Sequence, residues 1–160
     1  MIDPEDFTPE ALRKIAPACS DCPDGGQVDI ADGEAIYPRR RDLWKDDEGG
    51  KRWWWRCKCG AYVGTHKGTI TALGKPAGEA TRKARIEAHA AFDPLWRKRM
   101  ALSGLTQKTA RGRGYKWLAA QLGIDRKACH IGDMTAEMAR RVVEVCKAGK
   151  SAASTGERDE

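Results

Sequence analysis

Cys19 and Cys22 have two residues between them, Cys57 and Cys59 have one, and 34 residues separate the two pairs. The first pair lies in Cys19-Ser20-Asp21-Cys22-Pro23-Asp24-Gly25-Gly26, which is turn chemistry throughout. A tight loop aims both sulfurs of such a pair at one point, and two loops together supply the four thiolates that zinc takes in a tetrahedral structural site. No other feature constrains the fold as strongly. Two loops far apart in sequence must meet, so the segment between them must fold back on itself, as the β-hairpin of a zinc ribbon does. The second pair departs from the usual C-x2-C spacing, and its C-x-C geometry is tighter, so His66 is an alternative to one of its thiolates. The expectation is a structural Zn2+ on Cys19, Cys22, Cys57 and Cys59, with no open position for catalysis. A redox C-x-x-C fits less well, because no strand precedes it and no helix follows it.

The chain has 160 residues, which suits one compact domain or two very small ones and leaves no room for a large enzyme core. Mean hydropathy is −0.64, and no apolar run approaches the roughly 20 residues of a membrane span. The acidic start, MIDPEDFTPEALRK, lacks the apolar core of a secretory signal. A cytoplasmic protein with no membrane partner is expected.

Charge is unevenly placed. Residues 1–60 hold 10 Lys/Arg and 13 Asp/Glu, whereas residues 61–160 hold 19 and 10. Residues 75–116 alone carry 11 basic and 3 acidic side chains, a net of +8. Such a block is the footprint of a polyanion partner, against the alternative of a solvated helical face.

Thr8-Pro9-Glu10 reads as an N-cap, a proline at the first helical position and an early acid, opening a helix from Pro9 to Ala16. Strands are predicted at Glu34–Tyr37 and Arg52–Arg56, with β character continuing through Ala61–Gly64. Near residue 75 the texture becomes helical. One helix is predicted from Gly78 to Phe92, a second from Pro94 to Leu102, then a basic connection from Ser103 to Gly114. Further helices are predicted at Arg113–Leu122, closed by Gly123, and from Thr135 to Lys147. The fold class is therefore α+β: a zinc-ribbon module with a short N-terminal helix over residues 1–74, a basic helical module over 75–147, the two docked as one compact unit, and a disordered polar tail over 148–160.

On a helical wheel for residues 80–92, Ala80, Ala84, Ala88 and Ala91 share a small-residue face, while Arg82, Arg85 and His89 share a second arc. Two guanidiniums and an imidazole on one face suit a phosphate clamp; pairing with acids elsewhere is the alternative. Arg97, Arg99, Arg111, Arg113 and Lys116 extend the basic surface. Trp54, opposite in face to Trp53 and Trp55, is the candidate for stacking a nucleobase. Trp117–Ile124 looks like the start of a helix-turn-helix, but Asp125–Gly132 is too interrupted for a recognition helix, so packing of Trp117, Leu118, Leu122, Met138, Val142 and Val145 is expected. Cys129-His130 is read as capping or packing.

Five segments occur in order: WRCKCGAYVGTHKGT (55–69), TALGKPA (71–77), RKARIEAHAAFDPLW (82–96), GYKWLAAQLGI (114–124) and ACHIG (128–132). Together they resemble a phage- and prophage-associated zinc-finger-containing family, over roughly residues 15–147. The resemblance implies a zinc-finger N-terminal half whose ligand positions fall on Cys19, Cys22, Cys57 and Cys59, and a setting in the bacterial host cell. It also places His66, His89 and His130 inside family motifs, which raises the question of a shared site.

The function expected is that of a nucleic-acid-binding accessory protein of phage or mobile-element type, which grips phosphates through Arg82, Arg85, His89, Arg97, Arg99, Arg111, Arg113 and Lys116. One alternative is a non-enzymatic protein that binds and modulates a host protein. A second is a small hydrolase or nuclease built on His89, Asp93 and His130.

Overall fold

The tryptophan run forms the middle strand of a three-stranded antiparallel sheet. In the computed structural model, which describes residues 2–155, β1 (Val28–Asp32) pairs with β2 (Trp53–Cys57), and β2 with β3 (Tyr62–Gly64). The register sets Val28 opposite Cys57 and Asp32 opposite Trp53. Contacts divide the chain into two compact units, Met1–Glu79 and Ala80–Glu160. The class is α+β.

In the first unit, α1 (Pro9–Ile15) opens where the sequence places it, with Thr8 Oγ1 accepting from the Ala11 amide at 3.1 Å. The strand predicted at Glu34–Tyr37 is instead one helical turn, α2 (Gly33–Ile36). Asp32 decides this: its carboxylate accepts from the Ala35 amide at 3.0 Å and caps the turn, so β1 ends there, before the predicted strand begins. Gly33 is required by packing, since a Cβ there would stand 2.6 Å from Trp44 Cα and 3.1 Å from the Trp54 ring. Trp54 and Trp55 point to opposite faces of β2 and both are buried, at 6% and 1% exposure, so this small sheet is covered on both sides. Trp55 Nε1 donates to Ile70 O at 2.8 Å, and Tyr37 meets the Trp54 ring edge-on at 5.7 Å.

The second unit is helical. α3 (Glu79–Ser103) is one continuous helix of 25 residues with Pro94 inside it, where the sequence reading placed a break. Proline removes one backbone bond and clashes with the preceding turn, at about 3 kcal/mol. Here Phe92 and Trp96, on either side of it, are buried at 0% and 5% exposure, and their packing holds the helix through the interruption. α4 (Gln107–Leu122) starts six residues before the predicted Arg113, because Thr106 caps it. Arg111 and Arg113 therefore sit on a helix, where a basic connection was predicted. Gly123, at φ 68°, closes α4 in the left-handed conformation that favours glycine.

Gly114 lets α4 approach α3, as a Cβ there would stand 3.0 Å from Trp96 Cβ. Between α4 and the last helix lie two 3₁₀ turns, Arg126–Ala128 and Ile131–Asp133, and no recognition helix. The core of this unit gathers Ala84, Ala88, Phe92, Leu118, Leu122, Ile131, Val142 and Cys146, with Trp117, Met138 and Val145 packed against it. α5 (Ala136–Thr155) runs well past the predicted end at Lys147 and into the expected tail; residues 156–160 lie outside the described residues.

Cys129 and Cys146 are fully buried in this core. Burial pushes the Cys146 thiol up from 9.0 to about 11 and raises Cys129 as well, against the lowering influence of Lys150 and Arg126 respectively. Both thiols are thus protonated in the fold, and unfolding lets them ionise at their ordinary pKa. The stability that Cys146 contributes in this way is complete below pH 9 and is lost as pH rises through 9 towards 11. The melting temperature of Cys146→Ala is expected to fall less steeply than wild type between pH 9 and 11. Parallel slopes in a pH series of thermal melts would contradict this.

Candidate metal centre and basic helical surface

Each cysteine pair is shaped by its own turn. In the first, the Cys19 amide donates to Gly25 O at 2.7 Å and the Gly25 amide to Cys22 O at 3.1 Å, while Asp24 accepts from the Gly26 amide at 3.0 Å. In the second, Cys57 is the last residue of β2, and Gly60 at φ 97° turns the chain so that its amide bonds Cys57 O at 2.9 Å. The C-x-C spacing is therefore the tip of the β2–β3 hairpin. The two loops are stitched together by the Lys58 amide, which donates to Gln27 O at 2.9 Å. The first loop is also anchored at its outer side, with the Ser20 amide on Pro76 O at 3.0 Å and Asp21 accepting from the Gly78 amide at 2.6 Å.

These turns bring all four sulfurs within 4.8 Å of one another. Cys19 Sγ lies 3.7 Å from Cys59 Sγ, and Cys22 Sγ lies 3.8 Å from Cys57 Sγ. Disulfides, at about 2.05 Å, are excluded by these separations. A zinc ion bonded to four sulfurs at about 2.3 Å sets tetrahedral edges of about 3.8 Å, so the donor set and its spacing both fit the ion. Cys19 and Cys57 are buried, Cys22 is half-buried and Cys59 is exposed, which gives a closed inner side and one open lip. Among the described residues this is the one group with metal-binding spacing, and His66 is not part of it.

The protons of the cluster are shared. Burial is the main influence raising Cys19, and hydrogen bonds from the thiols of Cys59 and Cys57 push Cys22 strongly upwards. Cys57 is lowered: burial acts against it, but the Cys59 backbone amide and the three neighbouring thiols outweigh burial by favouring its thiolate. Four thiolates in that space require a cation.

Gly26 makes room for the cluster. A Cβ there would lie 2.5 Å from Cys57 Sγ and 3.2 Å from Cys22 Sγ, at a backbone φ of 67°. Gly26→Ala is expected to weaken zinc binding by roughly 10- to 100-fold in competition with a chromophoric chelator. Gly49→Ala carries the same left-handed strain, φ 83°, but meets open space, and is expected to bind as wild type. Equal behaviour of the two variants would show that crowding of the sulfurs is not the cause.

The basic residues separate into two groups. Arg97, Arg99, Arg111, Arg113 and Lys116 are exposed, and Arg82 is half-buried. Arg85 is not a surface clamp: it is 8% exposed, and its Nε donates to Met134 O at 2.8 Å, tying α3 to the segment before α5. The helical wheel placed it correctly beside Arg82 but could not see the chain that covers it. Trp54 is likewise no stacking platform, because Tyr37 and the Arg52 guanidinium, 5.3 Å from its ring centre, occupy its surroundings. Trp53 is the more open indole. It lines a cleft of about 280 Å³ with Lys51, Arg52, His66 and Lys67, where Lys51 Nζ sits 5.5 Å from its ring centre. Strand alternation gave no signal for this, since exposure at β2 is set by which loops cover each end.

His89 and His130 each lie beside a carboxylate. His89 Nδ1 is 3.4 Å from Asp93 Oδ1, which also accepts from Trp96 Nε1 at 3.1 Å, and Arg97 reaches the same carboxylate at 3.7 Å. His130 Nδ1 is 3.5 Å from Asp133 Oδ2, and its ring stacks on Tyr115. The arrangement is two His–Asp pairs.

Residues 16–149 match a family described as a zinc-finger-containing domain. No curated protein and no solved structure matches the chain. Among the described residues, no helix is long and apolar enough to cross a membrane.

Proposed function

Since this chain belongs to the zinc-finger-containing domain family, we propose that Cys19, Cys22, Cys57 and Cys59 hold one structural Zn2+ and that the protein is a nucleic-acid-binding accessory factor. The zinc reading is carried by the four sulfurs at tetrahedral spacing. When bound, the ion replaces the shared thiol protons and cross-links the two turns, which a sheet of three short strands with little core needs for its stability. A closed four-thiolate set leaves no position for substrate, so the role is structural.

The nucleic-acid reading is carried by the division of charge between the units. Met1–Glu79 holds 12 Lys/Arg and 14 Asp/Glu, a net of −2, whereas Ala80–Glu160 holds 17 and 9, a net of +8. Arg97, Arg99, Arg111, Arg113 and Lys116 project this charge into solvent from α3 and α4. Contacts of that kind grip phosphates without reading sequence. A phage or mobile-element setting in the cytoplasm of a bacterial host belongs to the same reading. Binding to single- and double-stranded DNA and RNA, measured by fluorescence anisotropy across salt, is expected to weaken steeply as salt rises. Salt-insensitive binding, or none, would sink the proposal.

A further inference from the structure

We propose that Tyr115, with Arg111, Arg126 and His130 around it, forms a binding site for a phosphate monoester on the Ala80–Glu160 unit. The starting observation is an unmet hydrogen bond. Tyr115 is 4% exposed, and its hydroxyl is buried with no hydrogen-bond partner among the described residues; the neighbouring His130 Nδ1 is buried too, with the Asp133 carboxylate 3.5 Å away. Buried polar atoms are almost always paired, so the unmet Tyr115 hydroxyl points to a missing acceptor.

The surroundings suit an anion. The Arg111 guanidinium carbon lies 5.6 Å from the Tyr115 ring centre and that of Arg126 lies 5.2 Å from it. The His130 ring lies nearly parallel to the phenol at 6.1 Å and 16°. Arg126 uses one N–H on Cys129 O at 3.4 Å and keeps others for a ligand. Burial pushes the Tyr115 hydroxyl up, against Arg111 and the Ile131 backbone, so at neutral pH it is a donor. The acids nearby are Asp133, 3.5 Å from His130 Nδ1, and Asp93, whose charge reaches Tyr115.

Two guanidiniums, a phenol O–H and an imidazole match a dianion with three terminal oxygens better than the single charge of a diester. Arg111 and Arg126 are exposed at their outer sides, and they are the groups that must shift to admit the ligand over the buried hydroxyl. Resting on the nucleic-acid reading, the natural ligand is the terminal phosphate of a strand. None of this was visible in the charge block, which ends before Arg126.

The test uses the full chain and inorganic phosphate, with chloride at matched ionic strength as control. Phosphate is expected to shift the Tyr115 and His130 ring resonances in NMR spectra of wild type. Tyr115→Phe and Arg126→Gln should each weaken phosphate binding about tenfold or more. Tyr115→Phe should keep or raise the melting temperature, because it removes an unmet hydroxyl; a large loss of stability would show that the hydroxyl is paired within the fold and overturn the site. Absence of phosphate-specific shifts would also overturn it. A second arm compares one oligonucleotide with and without a 5′-phosphate. Equal affinity in that arm, with no phosphate shifts, removes the site and leaves the broader reading standing. Phosphate shifts without any oligonucleotide binding do the reverse.

Discussion

Stripping zinc from the full chain with a strong chelator at neutral pH is expected to unfold the Met1–Glu79 unit. Structural zinc in small domains contributes about 10–16 kcal/mol of apparent binding energy, more than a sheet this size gains from burial. Trp54 and Trp55 report the event: both are buried in that unit, so tryptophan emission should move to longer wavelength. The helical signal in circular dichroism should fall little, because α3, α4 and α5 supply most of the helix and lie, apart from Glu79, in the other unit. Cys57→Ser should behave as the stripped wild type, since Cys57 is both the end of β2 and one corner of the sulfur cluster. Acidification should release the metal by the same route, as protons compete for the four thiolates. An unchanged emission spectrum after complete metal removal would show that the ribbon folds without it.

The second large effect concerns the basic surface. Removing three exposed charges together, as Arg99→Gln/Arg113→Gln/Lys116→Gln, is expected to weaken duplex DNA binding roughly 10- to 100-fold at moderate salt. It should also reduce the steepness of the salt dependence by about three in the logarithmic slope. The control removes as much charge from the other unit, as Arg13→Gln/Lys14→Gln/Arg39→Gln, all exposed side chains. If both triples weaken binding equally, net charge alone is responsible and α3 and α4 are not the contact surface. Melting temperatures of both variants should stay close to wild type, because exposed charges contribute little to stability.

Much of the architecture could be read directly where local chemistry decides it. Thr8-Pro9 opens a helix, Gly123 closes one, and the cysteine spacing sets which loops must meet; each depends on neighbours within a few residues. The readings that changed depend on distant chain. Asp32 turned a predicted strand into a helical cap. Pro94 stayed inside α3 because Phe92 and Trp96 are buried on either side of it. Arg85 has the same composition and spacing as a phosphate ligand, yet the Met134 carbonyl claims its Nε, 49 residues further along the chain. Trp54 alternates with its neighbours as a surface residue would, but in a sheet covered on both faces alternation no longer separates inside from outside. The meeting of the four cysteines was legible for the opposite reason, as thiols paired in two tight turns have few other uses.

The zinc centre proposed for the first unit places four thiolates on one ion. Native mass spectrometry of the purified full chain, combined with thiol alkylation of the folded protein, tests it most directly. One zinc per chain is expected, with Cys19, Cys22, Cys57 and Cys59 protected until the metal is removed and all four modified afterwards. A metal-free chain, or a zinc-bound chain in which any of those four is alkylated freely, would contradict it.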